Sequence, residues 1–259
     1  MEISNTVAVV TGADSALGNA VALLLESRGA KVARLATDSA APHNLPSSSS
    51  HLSFAVSITD PRSVEAAFRH IEATLGPPRI LVNCHEYCDQ FPIAEADYRN
   101  NVSPCSLERC ERVITSNLVG IFDILRLFAA SAASLPPNQG GERGVIINTA
   151  LETADDGAVN EAALAAAAGG RIAMTLPLAR ELGRYGIRVL SVIASSFAEP
   201  AADEDQLVFS IERAFPERPG EPREFAELIA ALITNPMMNG TSVRIDGGGR
   251  MKPANSGMI

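Results

Sequence analysis

At 259 residues the chain suits one α/β domain with a full core, because single domains of this class often run past ~200 residues. Its net charge is −9, and its only lysines are Lys31 and Lys252, so it lacks the basic footprint of a nucleic-acid binder. No apolar run reaches the ~18 residues of a membrane span. Met1-Glu2-Ile3-Ser4 lacks the basic and hydrophobic regions of a signal peptide, so a cytoplasmic protein with no membrane attachment is expected.

Thr6–Val10 reads as a first buried strand, followed by the turn Thr11-Gly12-Ala13-Asp14-Ser15-Ala16-Leu17-Gly18 and a helix to about Arg28. Glycines in such a turn let backbone approach a phosphate at a helix N-terminus, yet Gly12 and Gly18 equally serve a tight strand–helix turn. Lys31 to about Leu35 is the second strand. Ala36–Ser53 is serine- and proline-rich without helical period and reads as an irregular surface loop. Phe54–Val56 is the third strand. Asp60 then caps a helix with Pro61 at its first position, Gly76 past its end, and Val64, Ala67, Phe68 and Ile71 as its buried stripe.

Arg79–Asn83 is the fourth strand and leads into Cys84-His85-Glu86-Tyr87-Cys88. With Cys105 and Cys110, the cysteines are spaced x3 and x4 rather than as paired CxxC, so thiols without a metal are expected. Phe91–Pro104 is a polar insertion. Ser106 is placed to cap a long helix from Leu107 to about Leu135, with Glu108 in its first turn.

The central stretch is Gly144–Thr175. Val145-Ile146-Ile147 reads as a buried parallel strand, and an alanine-rich helix begins near Asn160. The crossover Ala150–Asn160 then lies beyond a strand's carboxyl end, where ligands sit in open α/β sheets. Leu164 and Ala168 share one helical face, where an enzyme would place a reactive pair. Glu152, Asp155, Asp156 and Glu161 could support acid–base chemistry, since clustered carboxylates raise one another's pKa. The same run also suits a solvated loop before a helix N-terminus, which favours acids. Arg188–Ile193 is a further strand, Pro222–Ile233 an amphipathic helix, and Ser242–Gly247 the last strand. The alternation of strands and helices implies a doubly wound parallel sheet of about seven strands, with helices on both faces, in a single domain over 1–259.

Val7–Gly18, Leu81–Asn83, Asn117, Gly144–Ala150, Gly169–Val189 and Asn235–Met251 resemble the short-chain dehydrogenase/reductases, especially their type II 3-hydroxyacyl-CoA dehydrogenase branch. The resemblance implies a Rossmann-like fold, an NAD site within 11–86, an active-site segment at 144–175, a lid over 195–222 with a helix at Asp203–Phe215, and an oligomerisation tail at 247–259. It also implies a serine after the strand and a Tyr-x-x-x-Lys pair on the helix. Those positions fall on Leu151, Leu164 and Ala168. Tyrosine has a pKa of about 10, so its proton exchange at neutral pH needs the neighbouring ammonium. Leucine has no proton to give. Tyr87, Tyr98 and Tyr185 are not on that face, and Arg171, three residues past Ala168, does not titrate usefully.

The NAD contacts implied by the resemblance are also altered. Ala16 replaces the middle glycine of the turn, Ala36 the ribose-binding acid, and Ser57 the adenine-contacting aspartate. Asp38 could stand in for that acid only if its loop shifted. Glu86 replaces a glycine, Ala194-Ser195 a Pro-Gly pair, and Glu199 a threonine. Two charges about 4 Å apart at an effective dielectric near 20 repel by roughly 4 kcal/mol, so Glu86 is expected to oppose an anionic cofactor unless it swings into solvent. Asn117 matches an asparagine that holds a relay water, and a structural bridge is the favoured role here.

The chain is thus expected to bind no cofactor and carry out no catalysis alone, with NAD held only by an active paralogue in a hetero-tetramer. In relatives the helices equivalent to Leu107–Leu135 and Asn160–Arg184 pair across a two-fold axis. The pattern is similar to the silent-subunit branch represented in the benzylsuccinyl-CoA β-oxidation dehydrogenase of anaerobic toluene degradation. Two alternatives remain open: a nucleotide or acyl-CoA sensor, and an acid–base enzyme using the four carboxylates.

Overall fold

A computed structural model describes residues 1–37, 51–99, 101–195, 197, 211–212 and 214–251. In chain order, β1 (Val7–Thr11), α1 (Ala16–Ser27), β2 (Lys31–Thr37) and β3 (His51–Val56) precede α2 (Pro61–Thr74) and β4 (Ile80–Asn83). A hairpin of β5 (Ala94–Ala96) and β6 (Val102–Pro104) follows, then α3 (Leu107–Ile114), a π-helical segment (Thr115–Gly120) and α4 (Ile121–Ala133). After β7 (Gly144–Leu151) come the one-turn α5 (Thr153–Asp156), α6 (Ala162–Gly183), β8 (Ile187–Ala194) and β9 (Ile211–Glu212). The described chain ends with α7 (Pro222–Thr234), β10 (Ser242–Ile245) and β11 (Arg250–Met251).

Seven strands form one parallel sheet in the order β3-β2-β1-β4-β7-β8-β10. The winding reverses between β1 and β4, which opens a crevice at their carboxyl ends. Strand alternation divides the core in two. Val10, Val82, Ile147 and Val192 pack with Phe225 and Ile229 of α7 on one face. Val9, Leu81, Ile146 and Val189 pack with Phe68 of α2 and Phe128 of α4 on the other. Burial on both faces explains why β7 opens with the continuous apolar run Val145-Ile146-Ile147.

Several local expectations change. Ala36 and Thr37 extend β2, and His51–Ser53 open β3, so the irregular stretch is shorter than 36–53. Its residues 38–50, Asp38 among them, lie outside the described part. Asp60 does cap α2, accepting from Arg62 N at 3.0 Å. Ser106 makes no side-chain cap bond, and the long helix is interrupted by the π segment, where Gly120 lies against Ile58: a Cβ there would sit 2.7 Å from the Ile58 oxygen. The alanine-rich helix α6 begins at Ala162, near Asn160 as expected, with Asn160 itself in a left-handed turn (φ 66°). Ile211–Glu212 pairs with Arg250–Met251 as a short antiparallel ribbon where the lid helix was expected. Most of the remaining lid and tail residues 252–259 lie outside the described part. By length and mean hydropathy (1.6 and 1.4) the helical spans Leu107–Ala133 and Ala162–Gly183 would qualify to cross a bilayer, but both pack against other elements of the fold.

Candidate functional site

Buried amides tie the strand ends that form the crevice floor. Thr11 Oγ1 donates to Asn83 Oδ1 (3.3 Å), Asn83 Nδ2 to Asn148 Oδ1 (2.8 Å), and Thr149 Oγ1 to the Asn83 carbonyl (2.8 Å). At the first turn, Ser15 caps α1: its hydroxyl donates to Gly12 O (2.8 Å) and accepts from Gly18 N (3.0 Å). A Cβ on Gly18 would lie 2.1 Å from Gly12 O, and one on Gly12 would lie 2.6 Å from Cys84 O. Both glycines are therefore required by close backbone packing, whatever the crevice holds.

The crevice contains two hollows that share Ser15, Cys84, Glu86 and Cys88. The first, of about 510 Å³, is walled by Ala16, Leu17, Ala150, Leu151, Leu164 and Phe197, with Glu86, Glu152, Glu161 and Ser195 supplying polar groups. The second, of about 560 Å³, runs past Asp14, Ser57, Tyr87 and Arg112. Leu151 and Leu164 thus meet at the first hollow as the sequence pattern suggests, while Ala168 is fully buried and is not part of its lining. Leu164 belongs to an apolar cluster with Phe91, Val113 and Ala163. Tyr87 and Arg112, a tyrosine and a cation, border the second hollow instead. Ala36 is buried beside Ala55 in the β2–β3 register, and the Ser57 N–H donates to Ser63 Oγ at 3.1 Å. Glu199 lies outside the described residues.

Glu86 requires a correction. Its carboxylate is paired with the guanidinium of Arg171, which is wholly buried and also donates to the His85 carbonyl at 3.3 Å. Burial pushes the Glu86 carboxyl upward and Arg171 pulls it back. Since an arginine does not surrender its proton, a positive charge stays beside the Glu86 carboxyl. The expected repulsion of about 4 kcal/mol is therefore largely cancelled, and what Glu86 adds to the crevice is bulk. The pair spans 85 residues. Its one sequence signal was an arginine inside the small-residue run Ala165–Gly170 and Arg171.

The Cys84–Cys88 run does not converge on a point. Cys84 is buried, its thiol pushed up to about 12 mainly by burial. His85, brought down to about 4 chiefly by burial, bonds Ser116 Oγ at 2.9 Å, and Cys88 is exposed. Asn117 takes its structural role: its amide accepts from Tyr87 N and donates to Tyr87 O, both at 2.8 Å.

The four carboxylates also separate. Asp155 and Asp156 bind Arg244 (2.9 and 3.3 Å), and Asp156 also accepts from Met251 N (3.2 Å), which fastens α5 to the C-terminal strands. Glu161 accepts from Gln90 Nε2 at 2.6 Å. Glu152 alone is buried at the cavity wall, 7% exposed. Burial first, and then Glu161 and Asp156, raise its carboxyl to about 7. The Ser195 hydroxyl lies close enough to lower it somewhat, in a geometry too poor for a regular hydrogen bond.

The fold and crevice are those of a doubly wound α/β protein of the dehydrogenase type. Residues 12–249 match the family model described as enoyl-(acyl carrier protein) reductase. A 3-hydroxyacyl-CoA dehydrogenase type-2 of Rattus norvegicus is 36% identical, with 97% of each chain covered. A (3R)-3-hydroxyacyl-CoA dehydrogenase of Homo sapiens is 30% identical over 95% of this chain and 96% of its own. The crystal structure of 3-hydroxyacyl-CoA dehydrogenase type-2 from Mycobacterium avium superposes with a TM-score of 0.83 at 30% identity, covering 96% of this chain and 97% of that one. The chain belongs to the short-chain dehydrogenase/reductase family and is similar to its type-2 3-hydroxyacyl-CoA dehydrogenases.

Proposed function

We propose that this chain is a non-catalytic subunit of a hetero-oligomeric, NAD-dependent 3-hydroxyacyl-CoA dehydrogenase in the cytoplasm, assembling with an active paralogue. The observation that carries this reading is Leu164, 1% exposed and packed with Phe91, Val113 and Ala163. The position where the resemblance puts a proton-trading phenol is part of an apolar cluster, and Leu151 and Ala168 supply neither hydroxyl nor ammonium. Hydride chemistry by the family's route therefore falls to the partner.

The residues present do not suit a dinucleotide. Ala36 offers no carboxylate to a ribose, and Ser57 none to an adenine. The Glu86–Arg171 pair fills what would be a glycine corner. NAD is accordingly assigned to the partner subunit alone, with neither nucleic acid nor membrane as a partner. The pathway that fits the resemblance is β-oxidation of benzylsuccinyl-CoA in anaerobic toluene degradation.

Co-expression with an intact paralogue, followed by native mass spectrometry and assay, tests the assignment. A stable mixed complex is expected, oxidising a 3-hydroxyacyl-CoA only when the paralogue's own tyrosine is intact. A homo-oligomer indifferent to the paralogue, or turnover by this chain alone, would overturn it.

A further inference from the structure

One wall of the first hollow is fastened from outside and hinged at its end. Leu151, Glu152 and Thr153 line the hollow at the start of α5. Gly157 stops that turn in the left-handed region (φ 71°), and Asn160 enters the same region (φ 66°) three residues later. A Cβ at Gly157 would meet nothing within 4 Å, so neighbouring atoms do not wedge the turn in place. The turn's own bonds are few: the Asp155 and Asp156 amides donate to Glu152 O (both 3.0 Å), and Gly157 N donates to Thr153 O (3.2 Å). From outside, α5 is held by the clasp of Arg244 on Asp155 (2.9 Å) and Asp156 (3.3 Å), with Met251 N donating to Asp156 (3.2 Å). Glu152 stands four residues before Asp156, so the two carboxyl groups share one face of the turn. Asp156 has Arg244 and Arg250 as counter-charges. No ion pair reaches Glu152 among the described residues.

We propose that α5 is a pH-operated gate on the first hollow: ionisation of Glu152 swings the turn Glu152–Gly157 outward about Gly157 against the Arg244 clasp, and protonation closes it. The proposal goes beyond the subunit assignment and does not rest on it, since neither NAD nor a paralogue enters the device. A neutral Glu152 suits the wall, whereas an ionised one is a buried anion one turn from Asp156 without a cation, and burying an unpaired charge is costly. Moving the turn outward hydrates that charge. The groups facing Glu152 are Asp156 on α5, Glu161 ahead of α6, Glu86, Cys84 and Cys88 after β4, and Ser195 after β8. Glu86 has its own counter-charge in Arg171, Glu161 accepts from Gln90, and the Cys84 thiol keeps its proton. The pH response therefore falls on Glu152. Its carboxyl sits at about 7 in the closed wall against an ordinary 4.5, so the advantage of the closed form is complete below pH 4.5 and is lost as pH rises to about 7.

Hydrogen exchange on the full chain tests this, read at each pH as protection relative to the intrinsic rate. Between pH 5.5 and pH 8 the Asp155, Asp156 and Gly157 amides should lose at least about tenfold in protection, while those of Val145–Ile147 in β7 keep theirs. Glu152→Gln, nearly the same shape without the charge, should abolish that loss. Arg244→Gln, which opens the clasp and leaves Glu152 in place, should lower α5 protection at both pH values. If Glu152→Gln does not fold, Glu161→Gln, which removes one facing carboxylate, should shrink the loss. Protection of α5 that does not change with pH, a loss that persists in Glu152→Gln, or a loss shared equally by β7 would overturn the proposal.

Discussion

Glu86 and Glu152 face one cavity, but only the first has a cation beside it. Removing one partner of a buried pair leaves the other uncompensated, typically at about 3–5 kcal/mol, whereas replacing both with apolar groups is often neutral. Arg171→Met should therefore destabilise the chain by about that amount, and Glu86→Leu with Arg171→Met should recover most of it. Urea denaturation of the single and double variants checks both expectations; a single variant within about 1 kcal/mol of the parent would show that the pair contributes little. For Glu152 the sign follows from proton binding. Its carboxyl sits at about 7 in the fold against an ordinary value of 4.5, so the folded chain holds a proton that the unfolded chain releases. The stability this gives is complete below pH 4.5 and declines as pH rises to about 7. The loss amounts to at most about 3 kcal/mol. Glu152→Gln should accordingly gain stability over the parent at pH 8 and not at pH 4, as measured by urea midpoints. A difference independent of pH would count against the raised carboxyl.

Among the elements, the π segment Thr115–Gly120 shows why a matching residue need not keep a matching role. Asn117 sits inside it, and its amide holds both backbone groups of Tyr87 at 2.8 Å, joining the long helix to the loop after β4. Losing both bonds in Asn117→Ala should cost about 2 kcal/mol, and it should speed hydrogen exchange at the Tyr87 amide more than at core amides. Unchanged protection there would refute the bridging role. The sequence made this element readable as a helix through its apolar period, but not as an interrupted one. The interruption comes from the tertiary fit of Gly120 against Ile58. The same distinction applies across the fold. The strands were legible as short runs buried on both faces and α2 because its buried stripe recurs at the helical period, and Leu164 was legible because the family resemblance places the reactive tyrosine there. The Glu86–Arg171 pair and the clasp of Arg244 on Asp155 and Asp156 were not, because they join residues 85 and 89 positions apart. The long-range pairing decided which carboxylates remained available to the cavity.

At the scale of the whole molecule, the seven-stranded sheet, the Ser15 and Asp60 caps and the close glycine contacts are present, while Leu164 and Ala168, where the resemblance expects a reactive pair, are buried in the packing. Restoring the pair by Leu164→Tyr and Ala168→Lys should therefore not produce NADH from a 3-hydroxyacyl-CoA. Ala168 is fully buried away from the first hollow, and Glu86 with Arg171 still occupies the crevice; detectable turnover would show that the remaining crevice is sufficient. Assembly gives a separate prediction. The two long helical spans touch where Leu118 meets Gly170, a Cβ on which would lie 3.0 Å from the leucine methyls. On these two spans, Val119, Phe122 and Leu176 leave 54%, 47% and 44% of their surface exposed. Apolar side chains on neighbouring helices are suited to burial against a second helical pair, and the fully buried centre of a stable interface is depleted in charge. Phe122→Asp would place a charge there. If the paralogue docks on these helices, the variant should keep its own fold and thermal midpoint but no longer appear in a mixed complex by native mass spectrometry. An undiminished mixed complex would move the contact to another surface.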